Sequence, residues 1–514
     1  MLLFTSFFVN LGVAPLKHEE PRRALIALEM LFRDNWIVPT EMGEYYYKKP
    51  PVYNWVVIGG FKLFGNHSEY AARFLSILSF LGMGVLVFLM GQRYVNTYFG
   101  IYAGLLTWAM ADVLFYFSAT AGEIDLFFSF ITLGSFFTIF YFYQKQQFYL
   151  LFIATYALGA IGTLTKGLPS PVFLAVSLGT FFLYQRKIRH LFSLAHLAGI
   201  SVFLLTVGGY FWWYDQYHPF TNYFTSEDSL WSQSSERTML ENTVFTLVPH
   251  LLLFPLETLK NVTPASLLLL FAVRRDFFTK LRQHPFILFC LILFVSNIAI
   301  YWLSPGTRSR YVYMLYPLLV IVLTFGYTSF STTANHLRSR WFHGIVLGLI
   351  VLSGLTCLAL PFIPQLATIS GTGTISIVST LTIAALLIVH LKKPAWTLPN
   401  LILLFVILRF VFAGVILPYR AQEGSAARDK ADAYQIVNIT KDEPLFLWED
   451  SRCSLTTVFY LERERTEVLS RKAQINGQYY YLANRSLLGD QMYEVFYTFA
   501  YGDQEFVLIK FRDP

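Results

Sequence analysis

Thirteen stretches of this chain are apolar for long enough to cross, or nearly cross, a bilayer. They fall at about 2–15, 70–91, 98–117, 124–143, 148–164, 168–184, 194–212, 257–273, 285–303, 311–330, 342–362, 374–391 and 398–418. The lipid interior offers no water to backbone N–H and C=O groups, so such segments must fold as helices. The fold class implied is an α-helical polytopic membrane protein. With 55% hydrophobic and 14% charged residues, an ordinary soluble globule is excluded. The apolar segment 244–256 is interrupted by Pro249 and Pro255, so it is expected as an interfacial or re-entrant helix. The net charge of +7 needs no nucleic acid, because basic loops on one membrane face give the same sign. Cys290, Cys357 and Cys453 form no metal knuckle and no evident disulfide pair. The opening residues lack a basic region and a small-residue cleavage site, and are expected to stay as a first span.

Loop charge sets the orientation. One side carries thirteen Lys and Arg, from Arg93 and Lys145 through Arg186, Lys187 and Arg189 to Lys392 and Lys393. The short loops opposite carry three, Lys166, Arg308 and Arg310. The first side is expected in the cytoplasm of a bacterial inner membrane. The first outer loop (17–64), a second large loop (213–256) and everything after Tyr419 then face outward, on the periplasmic side. Two domains are expected: a membrane domain over 1–418 and a small outer α/β domain over 419–514 that acts as a lid or support. In the latter, runs at 444–448, 457–461, 479–482 and 506–509 read as strands.

The first outer loop concentrates the unusual chemistry. His18-Glu19-Glu20-Pro21-Arg22-Arg23 and Tyr45-Tyr46-Tyr47-Lys48-Lys49-Pro50-Pro51 put acids, bases and rings at the membrane boundary, where charge is costly to desolvate. Pro21 suits the first turn of one helix and Pro50-Pro51 starts a second, through to Phe64. Both are expected to lie in the interface, leaving the polar residues at the depth of lipid phosphates. The acids alone could cap a helix and the lysines alone could anchor in headgroups, the latter being the favoured account of Lys48. Glu227, Asp228, Glu236 and Arg237 lie in the second loop, where an acceptor could dock, although a solvated loop face accounts for them as well.

The first loop resembles that of the ArnT-like branch of the GT-C membrane glycosyltransferases, which are related to the protein O-mannosyltransferases. The matching features are the acidic pair followed by Arg, the Asp34-Asn35-Trp36 to Pro39 element, Tyr46 to Lys49-Pro50-Pro51, and a Phe- and Gly-rich stretch ending in Ala72-Arg73. Leu164-Thr165-Lys166-Gly167 and Ser304 through Arg310-Tyr311 to Tyr316-Pro317 resemble two later elements of the same family. The resemblance implies Glu19, Glu20 and Asp125 as catalytic carboxylates, with Glu19 against Glu20 left open. It implies Arg22, Lys49 and Arg310 as ligands of a donor phosphate, and Tyr46 and Tyr311 as substrate contacts. Lys48 stands where the family has an acid, so no metal is expected, and a divalent cation has no support among these residues.

The chemistry is coherent on its own terms. Moving a sugar from a polyprenyl phosphate breaks a C1–O bond to phosphate, and Lys and Arg can stabilise the charge that develops on the leaving group. A carboxylate can orient or deprotonate the acceptor, or steady the sugar. The expected activity is an inverting glycosyltransferase with a polyprenyl-phosphate donor and a glycolipid (lipid A-like), polysaccharide or protein acceptor. The rivals are a transporter or flippase of a lipid-linked sugar, which would bind near the midplane, and an envelope scaffold with a decayed site.

Overall fold

A computed structural model describes residues 2–116, 120–226, 244–331 and 336–512. Among these, nine helices are long and apolar enough to span a membrane: Glu69–Tyr94, Thr97–Tyr116, Ile124–Gln144, Phe148–Lys166, Leu194–Asp215, Pro285–Trp302, Leu337–Phe362, Thr372–Lys392 and Pro394–Gln422. Pro169–Tyr184 and Tyr316–Phe330, two more of the expected spans, are shorter apolar helices. The remaining two expected spans differ. Only Leu2–Ser6 of the first is helical, because its following turns deliver the Leu11, Ala14 and Pro15 carbonyls to the buried Arg73 guanidinium. The span expected at 257–273 is broken: a helix runs over Val244–Asn261, straight through Pro249 and Pro255. It gives way to a 3-10 turn at Ala265–Leu268 and a four-residue helix at Leu269–Ala272. Pro264, which lacks an N–H donor, stands at that break.

Short connections keep successive spans antiparallel. Ser68 caps the Glu69–Tyr94 helix by accepting from the Ala71 N–H, and Asn96 caps the next by accepting from the Phe99 N–H at 2.9 Å. In the first loop both proline-started helices are present, at Glu20–Phe32 and Val52–Phe64. The first does not lie open in the interface. Ala24 through Met30 are all buried, because the helix is enclosed by the Val52–Phe64 helix and by the C-terminal domain. Gly60 permits the contact between Val52–Phe64 and the Glu69–Tyr94 helix, since a Cβ there would strike the Ala71 carbonyl.

The C-terminal domain is a five-stranded mixed sheet in the spatial order Arg471–Lys472, Leu445–Trp448, Tyr480–Asn484, Gln504–Phe511, Tyr493–Tyr501. The first two junctions are parallel and the last two antiparallel, with Leu445 opposite Tyr480 and Leu482 opposite Leu508. Side chains alternate as a strand requires. Leu445, Leu447, Leu482, Phe506 and Leu508 pack toward the first-loop helix, and Trp448, Tyr481, Val507, Ile509 and Phe511 form a separate core behind. The run at 457–461 is not a strand. It lies in a helix, Leu455–Arg465, whose Val458, Phe459 and Leu461 are buried and whose Leu-Glu-Arg-Glu-Arg ending favours that state. Tertiary burial thus overrides the β-branched and aromatic local signal.

Candidate functional site

Two adjacent acids at a helix start cannot face the same way, since consecutive helical positions are rotated by about 100°. His18, in the left-handed backbone region at φ 60°, turns the chain just before them. Glu20, the first helical residue, points into the bundle. It is 1% exposed and meets Arg73 through two bonds of 2.8 and 3.0 Å, while also accepting from the Gly122 N–H at 2.5 Å. Glu19 points the other way, into a cavity, with its side chain 43% exposed. Arg22 Nη1 donates to it at 2.7 Å, and Arg22 Nε donates to Glu41 at 2.8 Å. Burial raises the proton affinity of Glu19, but the Arg22, Arg23 and Arg310 guanidiniums outweigh that and hold its carboxyl below the ordinary range.

Cations converge on the same cavity from four separate segments. Arg23 belongs to the first-loop helix and is braced by the Tyr46 hydroxyl, which accepts from its Nη2 at 3.1 Å. Its buried Nη1 has no hydrogen-bond partner among the described residues. Lys49 stands at the proline start of the second loop helix, nearly buried, with Nζ donating to the Lys166 carbonyl at 3.4 Å. Lys166 closes the Phe148–Lys166 helix where Gly167 turns the chain at φ 86°. Its Nζ donates to Asp125, in the first turn of Ile124–Gln144, and lies 5.0 Å from the Tyr311 ring centroid. Arg310, in the 3-10 turn Ser309–Val312, donates to Glu123 at 2.5 Å and lies 3.8 Å from Asp125.

These side chains line an inner pocket of about 250 Å³. It holds Arg23, Lys49, Lys166, Arg308 and Arg310 against Glu19, Glu123 and Asp125, an excess of two positive charges when every group is ionised. Burial and the neighbouring Asp125 push the Glu123 carboxyl up to about 8, against the pull of Arg310. For Arg310 itself burial opposes the charge, yet Glu123 and Asp125 raise its proton affinity overall. Beside this pocket lies a larger cavity of about 690 Å³, lined by Asp112, Glu257, Lys260, Asn261 and Tyr313 among others. Glu19, Arg308 and Arg310 line both.

Of the residues singled out from the sequence, Glu19, Asp125, Lys49, Arg310 and Tyr311 therefore meet in one pocket. Glu20, Arg22 and Tyr46 do not line it; they hold Arg73, Glu19 and Arg23 respectively. Glu123, Lys166 and Arg23 were not assigned roles from the sequence, although Lys166 lies in a noted motif and Glu123 two residues from Asp125. Among the described residues no group of three or more His, Cys, Asp or Glu is placed to hold a metal ion. Glu227, Asp228, Glu236 and Arg237 lie outside the described residues.

Residues 48–213 match the family described as dolichyl-phosphate-mannose-protein mannosyltransferase. An uncharacterized protein of Aquifex aeolicus (strain VF5) is 30% identical over 213 residues, 40% of this chain and 40% of that protein's own length. Over 97 residues the chain is 33% identical to undecaprenyl phosphate-alpha-4-amino-4-deoxy-L-arabinose arabinosyl transferase 2 of Proteus mirabilis (strain HI4320), covering 18% of this chain and 17% of the transferase. Among solved structures, ArnT from Cupriavidus metallidurans bound to undecaprenyl phosphate superposes with a TM-score of 0.70 at 20% identity, over 99% of this chain and 96% of that one. Its apo form gives 0.66 at 19% identity, over 98% and 96%. In fold the chain is similar to ArnT: a helical membrane protein with a small C-terminal sheet domain.

Proposed function

We propose that the protein transfers a monosaccharide from a polyprenyl phosphate to an envelope acceptor, a glycolipid, polysaccharide or protein, at the outer face of a bacterial inner membrane. The observation that carries this reading is the convergence of Lys49, Lys166, Arg310 and the unsatisfied Arg23 Nη1 on one pocket shared with Glu19 and Asp125. A phosphodiester bears one negative charge, and the monoester it becomes on losing its sugar bears up to two. A pocket with two surplus cations is thus better matched to the product-like transition state than to the bound donor, which is what acceleration requires.

The acceptor oxygen attacks C1 from the side of the larger cavity and forms the new glycosidic bond. The C1–O bond to phosphate breaks, and its electron pair stays on the phosphate oxygen against Lys49, Lys166 and Arg310. A single displacement of this kind inverts C1. Glu19 stands where the two cavities join, and its lowered proton affinity makes it a weak base. Its ionised carboxylate would orient the acceptor and offset positive charge at C1, taking up the proton if the nucleophile is a hydroxyl. Arg22, bridging Glu41 to Glu19, acts as a positioning residue.

The test is reconstitution in proteoliposomes with radiolabelled undecaprenyl-phosphate sugars and a membrane extract. Transfer is expected from the wild type and is expected to fall at least ~100-fold in Lys49→Ala and in Glu19→Ala, both still folded. Full activity in both variants would overturn the assignment.

A further inference from the structure

The relatives that carry a named activity are named for an amino sugar, and the pocket described above is poorly built for one. Each of its carboxylates already has a cationic partner: Glu19 has Arg22 at 2.7 Å, Glu123 has Arg310 at 2.5 Å, and Asp125 has Lys166. Five cationic side chains face three acids there. A sugar ammonium placed among them would add a sixth positive charge, at short range and away from bulk water, where like charges repel most strongly. The other acids near at hand, Asp112 and Glu257, line the larger cavity, and Asp112 already accepts from the Tyr313 hydroxyl at 2.6 Å.

Beside the Arg23 Nη1 donor, one acceptor atom of the pocket asks for a ligand. Glu123 is 2% exposed, and while its Oε2 takes the Arg310 bond, its Oε1 is buried with no hydrogen-bond partner among the described residues. A buried acceptor left unpaired is costly, so a donor from the substrate is favoured there. A sugar hydroxyl can give one proton and also accept, and a carboxyl whose proton affinity is raised can reciprocate. An ammonium can only donate.

We propose that the pocket selects an uncharged monosaccharide on the lipid phosphate and discriminates against a cationic amino sugar, with Glu123 reading a hydroxyl of the transferred ring. The inference rests on the transferase reading above and narrows it to a substrate class. It also separates the protein from the named relatives by specificity while leaving the fold in common.

The discriminating pair of donors is undecaprenyl-phosphate arabinose and undecaprenyl-phosphate 4-amino-4-deoxy-arabinose, which differ in one hydroxyl. With the full chain in proteoliposomes and a common membrane extract, kcat/KM for the neutral donor is expected to exceed that for the amino donor at least ~100-fold, as befits a site that pairs with a hydroxyl. Equal rates, or preference for the amino sugar, overturn the proposal. In Glu123→Leu the preference is expected to fall below tenfold, with the loss borne by the neutral donor. Glu123→Gln, which restores a polar amide, is expected to recover at least a tenth of the wild-type rate. A Glu123→Leu protein that keeps the full preference refutes the role of this residue. Binding of the two donors in detergent, read as thermal stabilisation, separates the two levels of the argument. Selective binding without transfer sinks the transferase reading and leaves the specificity standing, and equal binding sinks the specificity.

Discussion

Removing Glu20 should unfold the protein rather than disarm it. The Arg73 guanidinium is fully enclosed, and its five N–H donors are all used: two on Glu20, and three on the Leu11, Ala14 and Pro15 carbonyls at 2.8, 2.8 and 3.1 Å. In Glu20→Ala that charge stays in place with no counter-ion, and the Gly122 N–H loses its acceptor as well. Breaking one side of a buried ion pair costs about 3–5 kcal/mol. The double substitution Glu20→Leu with Arg73→Met removes both charges but leaves three loop carbonyls without their donor at about 1–3 kcal/mol each, so it should be no more stable than Glu20→Ala. Glu19→Ala breaks a pair whose acid is half exposed, worth about 1 kcal/mol or less. Thermal unfolding of the detergent-solubilised protein, followed by tryptophan fluorescence, orders the variants. Glu20→Ala should lie far below Glu19→Ala, which should track the wild type, and radiolabel transfer should show the reverse pattern in the protein that remains folded. If Glu20→Ala matches the wild type in stability, the structural reading of this acid is wrong.

Three further outcomes are expected. Lys166→Met removes a cation proposed to meet the donor phosphate and leaves the buried Asp125 with Arg310 alone at 3.8 Å, so transfer should drop at least ~100-fold and thermal stability should fall as well, by up to about 3–5 kcal/mol. Burial raises the proton affinity of Glu29, to about 7, and burial together with the Glu29 charge raises that of Glu462. Both acids bind protons more tightly when folded, so their contribution is whole below about pH 4.5 and is lost as the pH rises through about 7. Glu462→Gln should flatten that decline and stabilise the protein above pH 7, as read from unfolding transitions between pH 5 and pH 9. For orientation, Glu44→Cys should react with an impermeant maleimide from outside intact cells, and Ile188→Cys only after permeabilisation; the opposite result would invert the membrane assignment.

Hydropathy located most spans to within a few residues, because a run of about twenty apolar residues has few other uses. It misplaced the span expected at 257–273, whose polar first residues, Glu257 to Asn261, close the preceding helix and whose apolar residues resume only after the break at Pro264. Pro21 and the Pro50-Pro51 pair marked both helices of the first loop, since a ring without an N–H fits best at a helix start. What the sequence concealed were partners far apart in the chain. Nothing local separates Glu19 from Glu20 until Arg73, 53 residues on, claims one of them. Glu123 reads as a helix-start acid until Arg310 arrives across 187 residues, and Lys166 as a span-end anchor until Asp125 is beside it. The Thr457–Leu461 run misled for the converse reason: its residue types suit a sheet, while its neighbours offered a groove for a helix.

The grip of the C-terminal domain on the first loop bears on how the pocket is assembled. Tyr460 accepts from the Leu16 N–H at 3.1 Å and donates to Glu69 at 2.8 Å, while Lys430 and Arg463 also bind Glu69, and Arg471 binds Glu44. Lys49 and Glu19 sit within the stretch so held. During synthesis that stretch emerges hundreds of residues before its clamp, so the pocket's charges have no fixed frame until the terminal domain has been made and docked. A ribosome-stalled or proteolysed chain lacking that domain would keep its spans yet leave its pocket cations unarranged.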